Sequence, residues 1–123
     1  MMLLLDSSIV IDYLRHSDRA VVFVRGLLAK PSLSVVTIAE LLAGARSRRE
    51  NDRINDLLNG SHLMPVTREI AASAGALMRH YQSSHGLDDF DAVIAATAAL
   101  HELPLATLNV KHFPMMPKLR AAY

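Results

Sequence analysis

The sequence predicts an α/β fold in three layers, a mainly parallel sheet of four to five strands flanked by helices. Two observations predict it. Short leucine-rich or β-branched runs recur along the chain, and each is followed by a longer stretch with apolar residues at helical spacing. Strands that alternate with helices in this way pack as parallel sheets covered on their faces.

Residues 3–5 are an apolar run ended by Asp6, a short buried strand, after which Ser7 or Ser8 caps a helix carrying Ile9, Val10, Tyr13 and Leu14 on its apolar face. A second helix is expected around residues 20–29, closed by Lys30-Pro31. Residues 33–36 read as the second strand, and Thr37 begins a helix through Ile38, Leu41 and Leu42 to about Arg46. Residues 48–59 read as helix with Gly60 as the stop. Residues 63–66 form a third strand that Pro65 places at an edge. Thr67 caps a long helix to about Ser84, ended by Gly86. Asp88 and Asp89 lead a helix with Phe90, Val93, Ile94, Thr97 and Leu100 at core spacing, and residues 103–107 are the fourth strand. The tail from Asn109 is broken by Pro114 and Pro117, with a last edge strand near Leu119.

At 123 residues the chain is expected to form one domain over 1–123. Its folded surface should be about 6,500 Å² against about 19,600 Å² unfolded, so the core needs no disulfide or structural metal. A hydrophobic fraction of 51% and a charged fraction of 20% exclude intrinsic disorder. No apolar run reaches the length of a membrane span, and the opening Met-Met-Leu-Leu-Leu lacks a basic start, so a soluble, cytoplasmic protein is expected. The chain has no cysteine, which excludes thiolate zinc sites and cysteine nucleophiles. Thirteen Lys and Arg against 12 Asp and Glu give a net charge of +1, so nucleic-acid binding would rest on local charge. Arg46, Arg48, Arg49 and Arg53 are the one dense basic stretch, readable as a solvated face or as phosphate contacts.

Sites in parallel sheets form at the carboxyl ends of the strands. Asp6 directly follows the first strand, Glu40 lies one turn into the helix after the second, Asp91 opens the helix from Asp88, and Asn109 follows the fourth strand. Carboxylates brought together repel unless a cation neutralises them, and oxygen ligands of this kind suit Mg²⁺ or Mn²⁺. Such a cation activates water and stabilises charge developing on a phosphate. Each acid also has a structural explanation. Asp6 can cap the first helix, Thr37-Ile38-Ala39-Glu40 has the form of a capping box, and Asp88, Asp89 and Asp91 all favour a helix N-terminus. Asp12 and Arg15 have the spacing of a surface ion pair.

Taken together the segments are more specific. LDSSIVIDYL from Leu5, TIAELLAG from Thr37, DAVIAATA from Asp91 and TLNVKHF from Thr107, in that order, closely resemble the PIN-domain ribonucleases, specifically the VapC toxins of bacterial toxin–antitoxin pairs. The resemblance spans residues 3–119, essentially the whole chain. It implies a PIN-like sheet with Asp6, Glu40 and Asp91 as metal-binding carboxylates, Asn109 at the fourth acidic position, and Ser8 and Thr107 in support. It also implies hydrolysis of phosphodiester bonds in structured RNA (tRNA or rRNA loops) with Mg²⁺ or Mn²⁺, leaving a 5′-phosphate and a 3′-hydroxyl. Arg46, Arg48, Arg49 and His112 are then candidate RNA contacts. A VapB-like antitoxin and a homodimer are the expected partners. Asn109 carries no charge, which leaves open one metal or two.

The alternative reading is a catalytically weak PIN domain that binds RNA or an antitoxin, and Asn109 is its only support. A haloacid-dehalogenase-type phosphatase wants Asp-x-Asp after the first strand, and position 8 is Ser. Nucleotide-binding Gly-rich loops and zinc-binding HExxH spacing are missing from the sequence.

Overall fold

The computed structural model describes residues 2–123. Four strands, β1 (Leu4–Leu5), β2 (Ser32–Ser34), β3 (His62–Met64) and β4 (Leu105–Ala106), form one sheet in the order β3-β2-β1-β4 among the described residues. Every pairing is parallel, with Leu4 opposite Ser32 on one side and Leu105 on the other. Among the described residues six helices surround it: α1 (Ser7–Leu14), α2 (Asp18–Arg25), α3 (Val35–Ala43), α4 (Arg48–Asn59), α5 (Arg68–His85) and α6 (Asp89–Leu100), followed by a 3-10 turn at Val110–His112. No helix among the described residues is long and apolar enough to cross a membrane.

Side chains alternate across the sheet as the strand period requires. Leu5, Leu33 and Ala106 join Ile9, Val10, Leu41 and Ile54 in a core on the face covered by α1, α3 and α4. Leu4 and Leu105 turn to the opposite face and pack on Ile94, Ala95, Ala98 and Phe113. Behind them Ile70 and Ala74 of α5 meet Ala92 and Ala96 of α6. The alanines of α6 let it lie between the sheet and α5, buried on nearly every side, which fixes the position of Asp91 in its first turn. Strands so short keep their ends close together, so the carboxyl ends of β1 and β4 and the starts of α3 and α6 converge.

Several boundaries differ from the sequence reading, and the differences bear on the site. The first helix starts at Ser7, with Asp6 in the N-cap position but making no side-chain cap. Neither Ser7 nor Ser8 is a cap, which leaves both hydroxyls free for other partners. The second strand ends at Ser34, whose side chain caps α3 by accepting from the Val36 N–H. Thr37 is therefore inside the helix and fully buried, and the capping box expected with Glu40 does not form. The third helix stops at Ala43, so Arg46 lies in the following loop, where its backbone N–H donates to Glu50 Oε2 at 2.7 Å. The second helix is Asp18–Arg25 and does not reach Ala29. No strand forms near Leu119. With Pro114 and Pro117 breaking the segment, only the Ala122 N–H reaches β4's end, donating to the Thr107 carbonyl at 2.9 Å.

Candidate active site

Asp6 follows β1 directly and is 2% exposed. Two hydroxyls hold one of its oxygens. Ser8 Oγ and Thr107 Oγ1 each donate to Oδ2 at 2.8 Å. A hydroxyl has one proton, and both of these are directed by what they accept: the Leu108 N–H donates to Ser8 Oγ at 3.2 Å and the Asn109 N–H to Thr107 Oγ1 at 3.0 Å. Backbone amides after β4 thus set the two hydroxyls, and the hydroxyls set the carboxylate. Oδ1 is left buried with no hydrogen-bond partner.

Glu40 repeats the pattern from α3. Ser7 Oγ donates to its Oε2 at 3.3 Å, while Oε1 is buried and unpartnered. Burial raises the Glu40 pKa, and the charge of Asp6 raises it further. Ser7 is a site residue that the sequence reading missed. The signal was the serine pair itself, since two hydroxyls where a helix needs one cap leave at least one to be accounted for.

Asp91 sits in the first turn of α6, 9% exposed. Its pKa is pushed up to about 6, first by burial and then by the charges of Asp6 and Asp88; the nearby His112 works in the opposite direction. His112 Nδ1 lies 3.3 Å from Asp91 Oδ2 on a side chain that is 57% exposed. Asp88 caps α6, accepting from the Phe90 N–H at 3.1 Å and the Asp91 N–H at 3.4 Å, and its charge is felt at both Asp91 and Glu40. The cap and the electrostatic role belong to the same side chain.

The structure therefore gathers Asp6, Glu40 and Asp91 at one end of the sheet, with Ser8 and Thr107 on Asp6 and His112 on Asp91. Asn109 is brought to the same strand end through its backbone, but its exposed side chain makes no hydrogen bond among those described. The arginines divide. Arg46 lines a groove of about 630 Å³ that runs from Glu40 between α1, α3 and α4, together with Arg15 and Arg53. Arg48 and Arg49 are exposed on α4 and do not line it. The Asp12–Arg15 ion pair does not form among the described residues; Asp12 instead accepts a hydrogen bond from Tyr123.

No three His, Asp or Glu side chains among the described residues stand at the mutual spacing of a closed metal-ligand shell. The donor set nevertheless fits a hard cation. Two carboxylates each present one tethered oxygen and one buried oxygen lacking any donor, and an unsatisfied buried carboxylate oxygen costs at least about 1–3 kcal/mol. A third carboxylate, Asp91, has its pKa pushed up to about 6 by burial and then by its acidic neighbours. Oxygen-rich, like-charged and partly desolvated, this is the environment that Mg²⁺ or Mn²⁺ satisfies.

Residues 3–118 match the PIN domain family. The chain is 40% identical to Ribonuclease VapC10 of Mycobacterium tuberculosis, over 99% of this chain and 93% of that one. It is 39% identical to Ribonuclease VapC19 of the same species, over 99% and 100%. Its backbone superposes on a chain of a toxin–antitoxin complex from Klebsiella pneumoniae with a TM-score of 0.84 at 28% identity, covering 98% of each chain. FitAcB from Neisseria gonorrhoeae superposes with a TM-score of 0.70 at 28% identity, over 92% and 91%. Sequence and backbone path agree, and the chain belongs to the PIN-domain family, alongside the VapC ribonucleases.

Proposed function

We propose that this protein is the toxin of a toxin–antitoxin pair, an endoribonuclease that hydrolyses phosphodiester bonds in structured RNA with Mg²⁺ or Mn²⁺. The observation that carries the reading is the pair of buried, unpartnered oxygens on Asp6 and Glu40 beside an Asp91 whose pKa stands at about 6. Asp6, Glu40 and Asp91 are the carboxylates that hold the cation, and Asn109 offers a neutral oxygen at the fourth position. When bound, the cation lowers the pKa of the attacking water and stabilises charge developing on the scissile phosphate. The protein's own contribution is positional. Ser8 and Thr107 fix Asp6, Ser7 orients Glu40, and the packing of α6 holds Asp91 against its acidic neighbours.

Arg46, with Arg15 and Arg53, supplies positive charge along the groove leading from Glu40, where flanking RNA phosphates are neutralised. Arg48 and Arg49 contribute at longer range from the surface. Splayed bases in an exposed tRNA or rRNA loop are the expected target, because single-stranded RNA is what a shallow protein site can read. The likeness to a toxin–antitoxin complex supports a VapB-like antitoxin as partner, and the protein is expected to work in the cytoplasm as a homodimer.

The test is cleavage of total cellular RNA by purified, antitoxin-free protein in Mn²⁺, Mg²⁺ and EDTA, with Asp6→Ala alongside. Discrete fragments that vanish in EDTA and with Asp6→Ala are the expected result. A folded protein that binds the cation and RNA but cuts nothing would favour a binding module, with Asn109 the next position to change.

A further inference from the structure

Two elements supply the hydroxyls that hold Asp6, and within the site they are joined by a direct hydrogen bond, from the Leu108 N–H to Ser8 Oγ at 3.2 Å. Ser8 rides on α1 and Thr107 ends β4. The segment at residues 122–123 touches both. The Ala122 N–H donates to the Thr107 carbonyl at 2.9 Å, and the neighbouring Tyr123 hydroxyl donates to Asp12 Oδ2 at 3.1 Å. Asp12 is four residues after Ser8 on α1, one turn along the same face. The Tyr123 ring is wedged against α2, 5.7 Å from the Phe23 ring and with the Arg19 guanidinium 5.5 Å from its centroid. Burial and the bond to Asp12 push its phenol up to about 12, so it stays a donor at any working pH.

We infer that Ala122 and Tyr123 form a clasp that locks α1 to the end of β4, with Tyr123 and Asp12 as positioning residues for the Asp6 carboxylate. The inference rests on the reading of Asp6 as a cation-binding group. The geometry runs in two steps. Tyr123 anchors the segment on α1 and α2, and the adjacent amide fixes the Thr107 peptide. That peptide contains the Leu108 N–H that aims Ser8 Oγ, and it directly follows Thr107, whose hydroxyl is aimed in turn by the Asn109 N–H. Releasing the anchor lets the strand end and α1 move apart and leaves Asp6 with two loosely directed donors.

Tyr123→Phe keeps the ring and its packing and removes only the hydroxyl. It should lower kcat for RNA cleavage about tenfold with KM changed less than about twofold, at the low end for loss of an outer-shell contact. In the metal-free protein, amide hydrogen exchange should speed up at Leu108 and Asn109. The Leu4 amide, bonded to the Pro104 carbonyl at the other end of the sheet, should keep its rate. Asp12→Asn retains an acceptor oxygen and should rescue both readouts. Asp12→Ala should reproduce Tyr123→Phe, and the two together should be no worse than either. Unchanged exchange at Leu108 and Asn109, or equal acceleration at Leu4, overturns the clasp. Wild-type protein that cleaves no RNA while these amides still answer to Tyr123→Phe would leave the clasp standing and sink the ribonuclease reading instead.

Discussion

The two sides of the site are built to different standards of order. On the β1–β4 side, Asp6 is almost wholly buried and one oxygen is gripped by two hydroxyls that backbone amides aim. On the α6 side, Asp91 has a single long contact to a mostly exposed histidine, and burial among other acids pushes its pKa to about 6. The first carboxylate is oriented by the protein alone. The second is held in place by helix packing but is electrostatically unfavourable until positive charge arrives. Under the proposed metal-dependent reading, the two halves would separate two jobs, the ordered side defining where a cation sits and the acidic side making its binding favourable.

The comparison breaks if either carboxylate is dispensable. Asp6→Ala and Asp91→Asn should each lower metal-dependent cleavage by about a thousandfold, the loss expected when several kcal/mol of transition-state charge stabilisation go missing. They should differ in stability. Asp6→Ala leaves Ser8 and Thr107 without their acceptor, whereas Asp91→Asn relieves repulsion and should match or exceed the wild-type melting temperature. Asp91→Asn protein that still cuts RNA at the wild-type rate would remove Asp91 from the metal set.

A narrower cut is Thr107→Val, which keeps the shape and deletes one hydroxyl. Asp6 loses a donor and the Asn109 N–H loses its acceptor, so activity or metal affinity should fall about tenfold to a hundredfold. His112→Ala, on the less ordered side, should cost under about tenfold, because the histidine is mostly exposed and its contact with Asp91 is long. Titration of Mn²⁺ against cleavage for the two variants sharpens the contrast. Equal losses would mean that the α6 side is as tightly organised as the β1–β4 side.

Much of this was legible in the sequence, for reasons that can be named. Strand-then-helix alternation and the rule that sites lie at strand ends brought Asp6, Glu40, Asp91 and Asn109 together before any coordinates. The caps at Thr67 and Asp88 and the stop at Gly60 were readable because each is a local bond or a local backbone need. What misled was competition between local and distant partners. Thr37 and Glu40 have the spacing of a capping box, yet Ser34 caps the helix and Glu40 turns to Ser7, 33 residues away in sequence. Asp12 and Arg15 have ion-pair spacing, yet Asp12 is taken by Tyr123 from the far end of the described chain. A sequence shows which bonds are locally available but not which distant donor will arrive to outbid them.

Asn109 is where the metal count turns. Asn109→Asp adds a charge next to the most ordered carboxylate, and it should lower the Mn²⁺ concentration for half-maximal cleavage about threefold to tenfold if the position is a ligand. An unchanged titration would confine the site to the three acids already in place.

The smallest expected effect carries the sharpest sign. Asp91 is raised to about 6 and Glu40 upward from the ordinary carboxylate range, in both cases chiefly by burial. A carboxyl with a raised folded-state pKa binds its proton more readily folded than unfolded, so acidification through that pKa favours the fold. In EDTA, the melting temperature should therefore gain from these groups between about pH 7 and about pH 4, with the Asp91 gain setting in near 6 and complete only below the ordinary aspartate range. Carboxylates that are merely salt-bridged do the reverse. Asp91→Asn should flatten the rise by removing the titrating group. Saturating Mg²⁺ should invert it, because the cation favours the charged forms and is lost as they protonate. If the wild type and Asp91→Asn instead give parallel curves in EDTA, Asp91 is not the strained acid of the pair, and the division of the site into an ordered side and a cation-dependent side fails.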